Sequence, residues 1–197
     1  MPTKGNKNKI KYGLKNVHYS VITEDMEGAV SYAAPVAIKG AVNISLNSLF
    51  EQETVPADDD PMYAVIEENN GYEGDLEVQI LDDDFKINVL GNTKDANGVL
   101  IEHKDAVTKR IALLFEFSGD VKKTRHLLYN CAVKKPNIES GTKGSGPASK
   151  TDTLSIKCTP AHDTGNVKAK CMEGETAYAD WFKSVYVGTA STSTTED

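Results

Sequence analysis

The chain has 197 residues, room for one good-sized domain and marginal for two, and its 39% hydrophobic and 26% charged residues are ordinary for a soluble protein. A formal net charge of -7 argues against a nucleic-acid binder that works by neutralising phosphates, which carries a basic patch or stripe. The three cysteines, Cys131, Cys158 and Cys171, fit no zinc spacing and read as reduced, buried strand residues of a protein made in a reducing compartment.

Residues 1–13 form a basic arm, with Lys4, Lys7, Lys9 and Lys11 among Asn and Gly. They lack the apolar stretch of a signal peptide, and no later apolar run is long enough to span a bilayer, so no membrane partner is expected. A single β domain is predicted over 14–187. Its first strand runs over 14–23, where Val17, Tyr19 and Val21 alternate with Asn16, His18 and Ser20. Residues 24–28 turn the chain, 30–33 return it, and Pro35 breaks the run. Val42, Ile44 and Leu46 alternate with Asn43, Ser45 and Asn47, which gives a two-faced strand with a small, uncharged, polar outer side.

Residues 50–61 read as a long loop holding Glu51, Glu53, Asp58, Asp59 and Asp60, and a patternless connection of that length implies a job. Asn70-Gly71 reads as the turn of a hairpin joining 62–67 to the next strand, in which Leu76, Val78 and Ile80 alternate with Asp75, Glu77 and Gln79. A short helix follows through Leu90, capped by Asp83 or Asp84 and closed by Gly91. Further on, 92–98 is turn-rich and 99–102 a short strand. Residues 110–118 are a central strand with Ile111, Leu113, Phe115 and Phe117 on one face and Ala112, Leu114 and Glu116 on the other. In 125–134, Leu127, Tyr129, Cys131 and Val133 alternate as one face. A flexible Gly/Ser/Lys loop spans 139–153, with Lys143 and Lys150. It leads to a strand over 153–159, for which 166–171 is the expected hairpin partner. Residues 178–182 deliver Trp181 to the core, 185–187 close the fold, and 188–197 form a polar tail. The tally is a mainly β protein: an antiparallel β-sandwich or half-barrel with one short flanking α-helix.

No catalytic residue, cofactor or metal is expected. His18, His103, His126 and His162 are scattered, and neither acidic run, at 58–60 or 82–84, has the ligand spacing of a calcium loop. There is no serine elbow, Cys/His pair or phosphate-cradling glycine loop.

Several blocks together resemble the major tail protein (tail tube) family of long, non-contractile phage tails. They are Tyr12-Gly13-Leu14-Lys15-Asn16-Val17-His18-Tyr19, the run 69–81 continuing through Asp84-Phe85-Lys86 to Leu90-Gly91, and Ala112-Leu113-Leu114-Phe115-Glu116-Phe117 with Gly119-Asp120. To these add Thr124-Arg125-His126, Leu128-Tyr129-Asn130-Cys131, Pro136, Tyr178, Trp181-Phe182 and Val185. The resemblance covers nearly the whole chain. It implies a tail-tube β fold that self-assembles into hexameric rings stacked around a DNA channel, in a virion, after synthesis in the host cytoplasm. It further implies tape measure, tail terminator and distal tail proteins as partners, and only transient, non-specific contact with DNA. No additional C-terminal immunoglobulin-like domain is expected after Val187.

A polar wall with few cations suits a DNA conduit, because each lysine on phosphate adds affinity through counterion release. Asn43, Ser45, Asp75, Glu77 and Glu116 are therefore the lumen-facing candidates, and Glu51, Glu53, Asp58, Asp59, Asp60, Lys143 and Lys150 the assembly-loop candidates. Two other readings stand beside this one: a secreted carbohydrate-binding or adhesin-like β-sandwich that uses Tyr and Trp, and a related tube of a contractile or secretion apparatus. The first should stay monomeric; the second shares the ring architecture. An enzyme is a more distant reading, which a metal-dependent activity lost on chelation would revive.

Overall fold

The computed structural model describes residues 12–140 and 150–188. The basic arm, the centre of the 139–153 loop with Lys143, and the polar tail fall almost wholly outside the described residues. The strands are β1 (Leu14–Glu24), β2 (Val30–Tyr32), β3 (Val36–Ala37), β4 (Ala41–Ala57), β5 (Asp60–Val78), β6 (Thr93–Lys94), β7 (Leu100–Ile101), β8 (Ile111–Phe117), β9 (Arg125–Val133), β10 (Asp152–Thr159) and β11 (Lys168–Cys171). One short helix, α1 (Asp83–Asn88), and a 3-10 turn (Thr176–Asp180) complete the described elements.

Nine strands share one antiparallel, open sheet in the order β2-β1-β8-β9-β10-β5-β4, while β3 pairs with β1, β11 pairs with β9, and β6 pairs with β7 apart from it. Period-two alternation decides which side of the sheet each residue meets. The inner side gathers Val17, Tyr19, Leu76, Val78, Ile111, Leu113, Leu128, Leu154 and Ile156, covered by Phe85, Val89 and Leu90 of α1 and its exit. Tyr19 meets Phe85 edge-on, with ring centroids 4.9 Å apart. The outer side is filled over β8, β9 and the strands flanking them, where Ala112, Leu114, Leu127, Tyr129 and Cys171 pack with Trp181, Val185 and Ala161. β8 is therefore buried on both faces, as expected of a central strand, and Trp181 is a core residue.

Four expectations of strand extent and pairing are corrected, and a fifth, the facing of Val42. The stretch 50–61 is not a loop: β4 and β5 run on as one long hairpin, paired from Phe50↔Asn69 to Ala57↔Asp60. Its turn is two residues, Asp58 (φ 51°) and Asp59 (φ 62°), the left-handed pair that matches strand twist and that Asp tolerates. Asn70-Gly71, in turn, lies inside β5 and not at a hairpin tip. A Cβ on Gly71 (φ +104°) would stand 1.9 Å from the Cys158 carbonyl oxygen, so glycine is needed there for close approach of β10.

The other two concern β9 and β11. The set Leu127, Tyr129, Cys131, Val133 does not share a face, because the register shifts between Ile111↔Cys131 and Leu113↔Leu128. That bulge sends Leu127 and Tyr129 outward and Cys131 and Val133 inward. Finally, β11 pairs with β9 and not with β10 (Lys168↔Leu128, Cys171↔Arg125). β10 takes the same flank of β9 further on, from Asn130 to Val133, so the sheet splits between β10 and β11. A smaller shift at Ala41/Asn43 leaves Val42 exposed instead of packed beside Ile44 and Leu46.

Candidate interaction surfaces: a bare polar strip and a projecting hairpin

The outer side of the sheet is roofed over β8 and β9 and bare over β10, β5 and β4. Cross-strand register fixes the bare part as three rows: Asn43, Glu77 and Thr153; Ser45, Asp75 and Ser155; Asn47, Glu73 and Lys157. Rows two residues apart along strands about 4.8 Å apart give a patch of roughly 10 by 14 Å. It carries three carboxylates down β5, one lysine, and otherwise hydroxyl and amide groups. Ser155 donates its hydroxyl to Asp75 Oδ1 at 2.8 Å, tying the middle row together. Carboxylates two residues apart repel by only about 0.6 kcal/mol in water, so an acidic spine costs the monomer little. The residues that alternate with these rows, Leu76, Val78, Leu154 and Ile156, are core residues and anchor the strip to the body.

Four of the five candidate wall residues, Asn43, Ser45, Asp75 and Glu77, thus meet on one patch. Glu116 does not join them. It points to the same side of the sheet but lies under the C-terminal segment, only 4% exposed. Its carboxylate takes Asn16 Nδ2 at 2.6 Å, Lys15 Nζ at 3.2 Å and Arg125 Nε at 3.2 Å. Asn16 (φ 51°) sits in a bulge of β1 between Lys15 and His18, and that extra residue brings Lys15 and Asn16 together beside Glu116. The Arg125 guanidinium stacks over Tyr178 at 3.7 Å and Phe182 at 4.7 Å and donates to the Tyr178 carbonyl, so the Glu116 cluster pins the roof to the sheet. Tyr129 adds a second pin, donating its hydroxyl to the Tyr186 carbonyl at 2.9 Å. Burial pushes the Tyr129 and Tyr32 phenols up to about 12.

Beyond Phe50 the β4–β5 hairpin leaves the body, and every residue from Phe50 to Gly71 except Ala57 and the buried Gly71 is exposed. Its base is acidic, with Glu51, Glu53, Glu67 and Glu68; its outer part is apolar on both faces, with Val55 and Ile66 on one and Val65 and Tyr63 (62% exposed) on the other. Asp58, Asp59 and Asp60 form the tip. Exposed apolar residues on both faces of a two-stranded ribbon are what a partner surface would cover. Sequence reasoning found the acidic residues of this arm and missed its apolar ones, because no core face sets a period there. Lys150 lies 3.7 Å from the Glu139 carboxylate.

Among the described residues no group of three or more His, Cys, Asp or Glu side chains is placed to hold a metal ion, and no helix is long and apolar enough to cross a membrane. Trp181, 2% exposed and stacked on Tyr186 at 5.9 Å, offers no platform for a sugar ring. Among known families, the model described as phage tail tube protein matches residues 1–124. No curated protein matches the chain.

Proposed function

This chain belongs to the phage tail tube protein family, a structural component of the virion tail, and we propose on that premise that its copies close into hexameric rings stacked into the tube that phage DNA passes through. The observation that carries this reading is the bare strip over β4, β5 and β10: a polar, acid-leaning surface that runs out to the edge strand β4. In the ring, β4 finds its missing neighbour on the next copy, which removes the exposed edge. Asn43, Ser45, Asp75 and Glu77 then line the bore, while Glu116 keeps the C-terminal roof in place. A wall of carboxylates, hydroxyls and amides with one lysine, Lys157, offers phosphates little to hold, so DNA passes with few of its condensed counterions released to solvent. The field of such a wall is short-ranged, with a Debye length of about 8 Å at physiological salt.

The hairpin arm, with Glu51, Glu53, Asp58, Asp59 and Asp60, serves contacts between copies, and Lys143 and Lys150 serve contacts at the 139–153 loop. At the two ends of the tube the partners are other tail proteins, of the tape measure, terminator and distal tail kinds. Negative-stain microscopy of the purified protein tests the proposal. Rings or tubes of uniform bore are expected; a monomer at every concentration and ionic strength overturns it.

A further inference from the structure

The split between β10 and β11 leaves a groove of about 580 Å³ on the inner side of the sheet. β5 pairs with β10 and β11 pairs with β9, so β5 and β11 are not paired with each other; Lys168 bridges them by donating to the Tyr72 hydroxyl, with its ammonium 4.7 Å from the ring centre. The floor is apolar, made by Ile44, Leu46, Phe115 and Phe117, and two exposed lysines, Lys168 and Lys170, stand on its β11 side. Both lysines share a face with Leu128 and His126, their register partners on β9, so they project to the groove side of the sheet.

We propose that this groove receives the tip of the β4–β5 arm from a second copy of the chain. The inference rests on the assembly reading above and names the surface that the arm meets. Three observations select this occupant. The arm's outer part offers Val55, Met62, Tyr63, Val65 and Ile66 as exposed apolar side chains for an apolar floor. Its turn, Asp58-Asp59-Asp60, brings negative charge to a groove bordered by two lysines. And the arm does not fill its own groove, because pairing from Phe50↔Asn69 to Ala57↔Asp60, broken only by the register shift at Pro56, holds it as an exposed ribbon about 27 Å long. The basic residues 1–11 are the competing segment, and their lysines meet Lys168 and Lys170 with like charge. Seated in this way, the arm covers its own apolar faces and the neighbour's open core in one step.

Cross-linking in assembled tubes tests this. Subunits carrying Tyr63→Cys are mixed with size-tagged subunits carrying Lys170→Cys, assembled, and oxidised with copper phenanthroline; each variant alone lacks the second engineered thiol, and the native cysteines are buried. The oxidant removes two electrons and two protons from the thiol pair to form one disulfide between copies. A mixed dimer on a non-reducing gel is the expected result. Tubes that form without the mixed dimer overturn the groove assignment and leave the tail-tube reading intact, whereas wild-type protein that never forms tubes overturns that reading itself. In a second measurement, Lys168→Glu with Lys170→Glu should raise the protein concentration needed for assembly by about tenfold, with the monomer's circular dichroism unchanged. An unchanged assembly threshold sinks the inference.

Discussion

Glu116 holds together three segments that are far apart in the chain, and its removal should be felt in the monomer before any assembly. Glu116→Gln leaves Arg125 and Lys15 facing an amide in a site that water barely reaches. Removing one partner of a buried charge group is costly, and a loss of about 2–3 kcal/mol is expected, read as a lower midpoint in chemical denaturation. The tyrosines give a pH signature. Tyr32 and Tyr129 are held neutral in the folded protein up to about 12, against 10.0 for an ordinary phenol. The folded protein therefore holds these protons more tightly than the unfolded chain. Their contribution is complete below pH 10 and is lost as pH climbs from 10 towards 12. Phenolate absorbance and circular dichroism should change together in that window, and Tyr129→Phe should flatten the stability loss across it, even though it gives up the bond to the Tyr186 carbonyl.

No residue from Phe50 to Asn69 belongs to either core, so on the proposed reading the arm serves assembly and not folding. Replacing residues 51–68 with a two-residue Asn-Gly turn should leave the thermal midpoint of the monomer within a few degrees of wild type while abolishing tube formation, checked by calorimetry and microscopy. The arm also shows where the sequence was legible. Strands that bury one face announced themselves: Val17 and Tyr19 in β1 and Leu154 to Cys158 in β10 alternate because a core demands it, while β8, buried on both faces, showed as a dense apolar run. Nothing demands alternation along residues 50–61, so strand residues there looked like loop, and Pro56 strengthened that impression. In the structure Pro56 falls at a register shift between Val55 and Ala57, where its missing N–H costs no ladder bond. Gly71 misled for a related reason. A turn and a close backbone approach both select glycine, and only the position of β10 tells them apart. The four strip residues were legible since they alternate against core residues. Glu116 alternates in the same way, and its burial depends on the 3-10 turn and Trp181, which arrive some sixty residues later.

At the scale of the whole molecule, the net charge of -7 and the acidic spine of β5 act in the same direction. Exchanging Asp75→Lys together with Glu77→Lys should leave tubes intact and make them retain DNA. Two added phosphate contacts steepen the dependence of log K on log salt by about 2, measurable by filter binding at several salt concentrations. The bare strip has a consequence for how such a protein changes over generations. Asn43, Ser45, Asp75 and Glu77 project away from both cores, so replacing any of them leaves packing untouched. If the strip lines the bore as proposed, mutations there are screened by how fast a genome travels and hardly at all by whether the subunit survives in the cell. A lineage adapting to a stiffer, longer or more tightly packed genome has in these positions a dial that it can turn without rebuilding the machine around it.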